Sequence, residues 1–189
     1  MIGNRIMIIG CPGSGKSTLA LRLHGITGIP LYHLDNVWWK PDRTHISRDE
    51  FDLRLSEILK GGSWIIDGDY SRTYEPRFAA CDTVIFLDLS EEECLRGIEG
   101  RVGTVRPDIP WSEDSLDPEL VMQVRKYRTK NRPVILSLTE RYPDRQYIIF
   151  RSRDEADAWL DHLSDDNTRS TFLNELQIQQ HGQGQIQPS

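Results

Sequence analysis

The sequence predicts an α/β protein: a parallel sheet of five strands with helices on both faces. Three observations predict it. Five short apolar runs recur along the chain, most of them ended by an acid. Amphipathic segments with helix-capping signals alternate with these runs, the order a parallel sheet requires. The runs are continuous rather than alternating in polarity, which suits strands covered on both faces.

The first run, Arg5 to Ile9, opens the fold. It leads into Gly10-Cys11-Pro12-Gly13-Ser14-Gly15-Lys16-Ser17, the spacing G-x-x-x-x-G-K-S, followed by Thr18. An apolar strand before this spacing and a helical pattern after it, with Leu19 and Leu23 one turn apart, are the context in which such a loop cradles phosphate. The chemistry accounts for the residue types. Gly10, Gly13 and Gly15 permit backbone angles and close approaches that a side chain blocks. Loop N–H groups can then face phosphate oxygens, and the helix that follows adds the positive end of its dipole. Lys16 brings a point charge to the β- and γ-phosphates, and the Ser17 hydroxyl suits Mg²⁺. Gly10 to Thr18 therefore predicts a nucleoside triphosphate site, with ATP as the expected donor.

Gly25 and Gly28 punctuate the exit of the first helix. Ile29 to Leu34 reads as the second strand, ending at Asp35. Ligands of open α/β sheets bind outside the carboxyl ends of strands, so Asp35 is a candidate contact for a phosphoryl acceptor. Trp38 and Trp39 come next. Adjacent residues cannot share one face, so one ring is expected in the core and the other at a pocket or lid, and Trp38 is the candidate substrate contact. Ser47-x-x-Glu50 is a capping box opening a helix whose apolar face is Phe51, Leu55, Ile58 and Leu59, with Gly61-Gly62 as its stop. Ser63 to Gly68 is the third strand. Its terminal acid, Asp67, is expected to orient Mg²⁺ and its waters beside the loop. Arg72, in the polar loop that follows, is a candidate partner for a phosphate or carboxylate of the acceptor.

Thr83 to Asp88 is the fourth strand, and Ser90-x-x-Glu93 caps a helix running to about Arg101. From 102 to 117 no period is visible, and Gly103, Pro107 and Pro110 interrupt the chain. A stretch of this kind predicts a lid. Arg101 and Arg106 are placed to reach a phosphoryl group in transfer. Asp117-Pro118 reads as an N-cap followed by proline at the first helical position. Arg125, Arg128 and Arg132 share a face of that helix, and Arg128 is the candidate catalytic cation among them. Pro133 is expected to interrupt this helix or start a new one. Gln146 to Phe150 is the fifth strand. Ser152-x-x-Glu155 caps a last helix with Ala156, Trp159, Leu160 and Leu163 on one face. One domain is expected over 1–164, with a polar, glutamine-rich tail over 165–189.

A length of 189 residues fits one domain of roughly 100–200 residues. No apolar run approaches the ~20 residues that span a bilayer. The chain enters its first strand almost at once, so no signal peptide is expected. Cys11, Cys81 and Cys94 are isolated, which argues against a disulfide framework or zinc ribbon and for a cytoplasmic protein. A net charge of −6 argues against direct nucleic-acid binding.

Four segments carry a family resemblance: the Gly10–Ser17 loop; Tyr32-His33-Leu34-Asp35; Trp64-Ile65-Ile66-Asp67-Gly68 with Tyr70-Ser71-Arg72; and Asp82 to Asp88. Together they resemble the bacterial adenylate-kinase-related proteins called DNA topology modulation proteins, over roughly Arg5 to Leu163. The resemblance implies a three-layer P-loop NTPase fold of the nucleoside or small-molecule kinase type, with a core, an acceptor-binding segment and a lid. Asp67-Gly68 resembles the Asp-Gly of the adenylate kinase D-G-F-P-R motif, although here the arginine comes one residue later. Arg96 and Arg101 resemble the arginines that flank the adenylate kinase lid. Asp35 followed by bulky tryptophans is more similar to shikimate- or gluconate-kinase-type pockets, where the acid helps bind a hydroxyl acceptor.

The expectation is an Mg²⁺-dependent kinase that passes the γ-phosphoryl group of ATP to a nucleoside monophosphate or a hydroxyl-bearing small molecule. Lys16, Asp35, Asp67, Arg101 and Arg128 are its expected catalytic residues, and Ser17 and Asp67 its metal contacts. The family name leaves a nucleotide-dependent regulator of DNA topology as the alternative. A nucleotide-binding protein without catalysis is a third reading. The oligomeric state is not legible in the sequence.

Overall fold

The computed structural model describes residues 2–104, 108–109 and 114–165. The expected Arg106 and the tail beyond residue 165 lie outside the described residues. Five parallel strands form one sheet in the order β2-β3-β1-β4-β5: β1 Arg5–Gly10, β2 Leu31–His33, β3 Trp64–Asp67, β4 Thr83–Leu87 and β5 Gln146–Phe150. The helices are α1 Lys16–Thr27, α2 Leu34–Trp38, α3 Arg48–Leu59, α4 Tyr74–Ala80, α5 Glu91–Glu99 and α6 Pro118–Arg141, then α7 at 153–165. This is a P-loop NTPase type of α/β fold.

The strand order explains where a site must form. The chain leaves β1 toward β2 and β3 on one side, then crosses to β4 and β5 on the other. The carboxyl end of β1 is thus the point where the winding reverses, and a crevice opens there. β3 and β4 flank it, in register Ile8↔Asp67 and Gly10↔Leu87. The sheet core is Ile6–Ile9, Trp64–Ile66 and Val84–Leu87, all buried, as continuous apolar runs require. Leu19 and Leu23 seal α1 onto it, and Phe51 and Leu55 of α3 join the same hydrophobic core. The three cysteines are free and buried.

Several local expectations shift. β2 stops at His33, and Asp35 lies in the first turn of α2 rather than at a strand end. Gly28 closes α1 in the left-handed region at φ 69°, whereas Gly25 lies inside the helix. Ser47 caps α3 by accepting the Glu50 N–H, but the Glu50 carboxylate turns to Arg54, so only half a capping box forms. The box at Ser90 and Glu93 is complete, and α5 ends at Glu99. Pro133 does not break α6. The helix passes through it because its exposed ring leaves the core contacts intact: Ile135 and Leu138 are buried beyond it, and Arg132 is clamped to Asp88 at 2.8 and 2.9 Å. Among the described residues, no helix is long and apolar enough to cross a membrane.

Candidate active site

A cleft of about 1460 Å³ opens at the carboxyl end of the sheet. Its floor is the loop between β1 and α1. Pro12, Gly13, Gly15, Lys16, Ser17 and Thr18 line it, whereas Gly10 and Ser14 lie beneath the surface. Gly10 has a packing reason: a Cβ there would stand 2.8 Å from the Leu87 carbonyl of β4. Gly13, at φ 79°, leaves no room either, since a Cβ would come 2.2 Å from the Cys94 carbonyl of α5. Ser14 is fully buried, and its N–H closes the loop on Cys11 O at 3.1 Å. Gly15 caps α1 in the left-handed region at φ 99°. The first N–H groups of α1, at Lys16 to Thr18, have no partner within the helix and open into the cleft. The Lys16 ammonium rests on the Cys11 carbonyl at 3.0 Å. Arg153, from α7, binds the carbonyls of Gly13 and Glu93 at 2.7 and 2.9 Å, fastening the loop to α5.

Asp67 enters from β3 and is 3% exposed. Its Oδ2 meets His33 Nδ1 at 2.8 Å, while its Oδ1 is buried without a hydrogen-bond partner. Burial by itself pulls the His33 imidazole down. The hydrogen bond and charge of Asp67, with Asp108 and Asp35 behind it, carry it above its ordinary value of 6.5. The Ser17 hydroxyl donates to Asp108 Oδ2 at 2.8 Å. Asp108 lies between α5 and α6 and is 1% exposed. No group of three or more acidic, histidine or cysteine side chains among the described residues is placed to hold a metal by itself. Mg²⁺ commonly needs only one or two carboxylates once nucleotide phosphates complete its shell. An orphaned carboxylate oxygen, a serine hydroxyl and a glycine loop with helix N–H groups beside it fit Mg·ATP.

The other end of the cleft is built by α2 and the loop after β3. Asp35 accepts the Tyr70 hydroxyl at 2.7 Å. Burial, together with the charges of Asp67 and Asp108, pushes the Asp35 carboxyl above its usual range, and the Tyr70 bond opposes this. Tyr70 holds a left-handed φ of 24°, a strained angle for a bulky residue. Arg77, fully buried on α4, maintains that loop. It donates to the carbonyls of Gly68, Asp69, Tyr70 and Thr73 at 2.7, 2.7, 3.2 and 3.3 Å. Asp69 fastens the same loop to α6 by accepting Tyr127 at 3.2 Å and Asn131 at 2.7 Å, and it also accepts the Tyr74 hydroxyl. Both tryptophans are half-buried and line the cleft, and Trp38 also packs against the hydrophobic core. Trp38 is wedged by stacking on His45 at 4.4 Å and meeting the Phe51 edge at 5.5 Å.

The expected residues therefore separate into two sets. Lys16, Ser17, Asp35, Trp38, Asp67 and Arg101 line one cleft. Arg72 and Arg128 are not brought to it. Arg72 pairs with Asp52 at 2.6 Å, an exposed contact on the α3 side, because its place one residue after Ser71 turns it outward. Arg128 is exposed and reaches the Leu89 carbonyl at 3.4 Å. Arg96 points along α5 to Glu92 at 3.8 Å. His33, Asp69, Tyr70, Arg77 and Asp108 are the residues that sequence reasoning missed. His33 and Tyr70 stand in segments that carry the family resemblance, and Asp69 in the polar run Asp69-Tyr70-Ser71-Arg72, but no role followed from either signal.

No protein-family model matches the chain. It is similar to the adenylate kinases of Thermotoga petrophila and Thermotoga maritima, at 30% identity to each over 92 residues. Those residues are 49% of this chain and 36% of each relative, so the match spans about a third of the relatives' length. Its fold is similar to that of a shikimate kinase from Bacteroides thetaiotaomicron. The TM-score is 0.55 with 17% identity, over 86% of this chain and 97% of that one. These likenesses support a P-loop kinase-like chain, and the resemblance to DNA topology modulation proteins finds no support in them.

Proposed function

We propose that this protein is an Mg²⁺-dependent phosphotransferase that moves the γ-phosphoryl group of ATP to the hydroxyl of a small molecule. The observation that carries the reading is Asp35. Its carboxylate is held by Tyr70 at 2.7 Å in the same cleft as the phosphate loop. The acceptor end is lined by Trp38, Trp39, Arg43, Asp69 and Tyr70, with Lys126 and Lys130 of α6 in the same cleft, and Arg72 is turned away from it. That lining suits a hydroxyl-bearing ring better than the phosphate of a nucleoside monophosphate.

In this reading the acceptor oxygen attacks the γ-phosphorus, the bond to the β,γ-bridging oxygen breaks, and ADP leaves. Asp35 binds the acceptor hydroxyl and takes its proton. Burial raises the Asp35 pKa above the ordinary aspartate range, which makes it a stronger base than a solvated aspartate. Lys16 leaves the Cys11 carbonyl for the β- and γ-phosphate oxygens, where it offsets charge that builds up in transfer. Mg²⁺, when bound, would neutralise phosphate charge, with Ser17 and the free oxygen of Asp67 holding it. Arg101 lines the cleft at the end of α5 and adds positive charge there.

A screen of ATP consumption across nucleosides, nucleoside monophosphates, sugars and small hydroxy acids tests the reading. Acceptor-dependent ADP release with a hydroxy compound is expected, and Asp35→Asn should reduce it at least about 10²-fold. Turnover with nucleoside monophosphates alone, undiminished in Asp35→Asn, would overturn it.

A further inference from the structure

We propose that Asp108 is a second carboxylate of the metal site, positioning the Ser17 hydroxyl so that its lone pairs face the cation. This rests on the phosphotransferase reading above. The observations are geometric. Ser17 stands in the first turn of α1 and lines the cleft. A hydroxyl has one hydrogen and two lone pairs. The hydrogen goes to Asp108 Oδ2 at 2.8 Å, which commits the hydroxyl to acting as an acceptor on its other side. That side is where a phosphate-bound cation would be held. Asp108 is 1% exposed and Asp67 3% exposed, and both line the cleft. Asp67 Oδ1 is buried with no partner, a second and independent sign that the site is built for a cation.

The arrangement divides the labour between two acids from distant parts of the chain. Asp67, steadied by His33, presents its unpartnered oxygen. Asp108 acts through Ser17 and is a positioning residue. It lies 91 positions from Ser17, in a stretch with no periodicity, and only the tertiary fold brings the two together. A competing role has the opposite sign. If Asp108 merely occupies the cation's place in the ligand-free protein, removing its charge would tighten metal binding.

The test is Mn²⁺ affinity, read by electron paramagnetic resonance on the full chain saturated with the β,γ-imido analogue of ATP. Asp108→Asn should weaken Mn²⁺ binding about 10-fold, the usual scale for an outer-sphere partner, with the metal-free affinity for the analogue unchanged. Asp108→Ala should lose at least as much, and thermal unfolding of both variants checks that they fold. Because Asp108 acts through the hydroxyl, the double variant Ser17→Ala, Asp108→Asn should bind Mn²⁺ no worse than Ser17→Ala alone. Unchanged or tighter Mn²⁺ binding in the folded Asp108 variants, or fully additive losses in the double variant, overturns the assignment. In that case wild-type binding stands, and so does the phosphotransferase reading. Failure of the wild-type protein to bind Mn²⁺ with the analogue overturns both.

Discussion

Asp67 has two oxygens with different fates, one accepting His33 and one buried without a partner. The first makes the site pH-sensitive in a definite direction. His33 is carried above its ordinary 6.5, so the folded protein keeps this proton after the unfolded chain has released it. The contribution to stability is complete below pH 6.5 and is lost as pH rises from there through the folded value. Chemical denaturation at pH 6, 7 and 8 should show wild-type stability falling with pH. His33→Asn, which keeps an N–H for Asp67 but cannot titrate, should flatten that slope. An equal slope in both proteins would count against the pair. At this scale, the sequence revealed residues whose role follows from local context. Lys16 and Ser17 stand in a spaced motif, and Asp67 ends an apolar run. His33, Tyr70 and Asp108 were not legible, because each acts through a partner 34, 35 or 91 positions away.

Among the elements, the loop from Gly68 to Tyr70 is the piece that joins the Asp67 end of the cleft to the Asp35 end. Its geometry is imposed from below. The Arg77 guanidinium, pushed down to about 10 by burial, spends its N–H groups on four carbonyls of residues 68 to 73. Asp69 ties the loop to α6 from above. Arg77→Met should therefore cost about 3 kcal/mol or more, since several buried carbonyls lose their donors. It should also weaken acceptor-dependent turnover more than nucleotide affinity. Urea unfolding and a nucleotide titration measure the two effects. Stability within about 0.5 kcal/mol of wild type would refute the clamp. The helix starts were readable, because Ser47, Ser90 and Asp117 each accept an N–H of the first turn. The misreadings came where tertiary packing decided. Asp35, expected at a strand end, falls in the first turn of α2, and α6 passes through Pro133 with buried residues on both sides of it, Val124 and Tyr127 before and Ile135 and Leu138 after.

For the whole molecule, the strand order places the phosphate loop between β3 and β4 and so puts Asp67 on one side of it. The parallel α/β sheet was legible from its continuous apolar runs and intervening capped helices. The strand order was not, since apolar runs do not say which strands are neighbours. The cleft itself was half legible. The donor side is a local motif, whereas the acceptor side is assembled from α2, the loop after β3 and the start of α6. The central claim is that this cleft transfers a phosphoryl group from ATP to a hydroxyl. The most direct test is ³¹P NMR of the protein with Mg·ATP and a panel of small hydroxy compounds, run beside Lys16→Ala with equal melting temperatures as the control. ADP together with a new phosphomonoester resonance is expected for one class of acceptor, and both signals should disappear in Lys16→Ala. Transfer that persists in Lys16→Ala, or ADP forming with no phosphomonoester for any acceptor, would contradict the account.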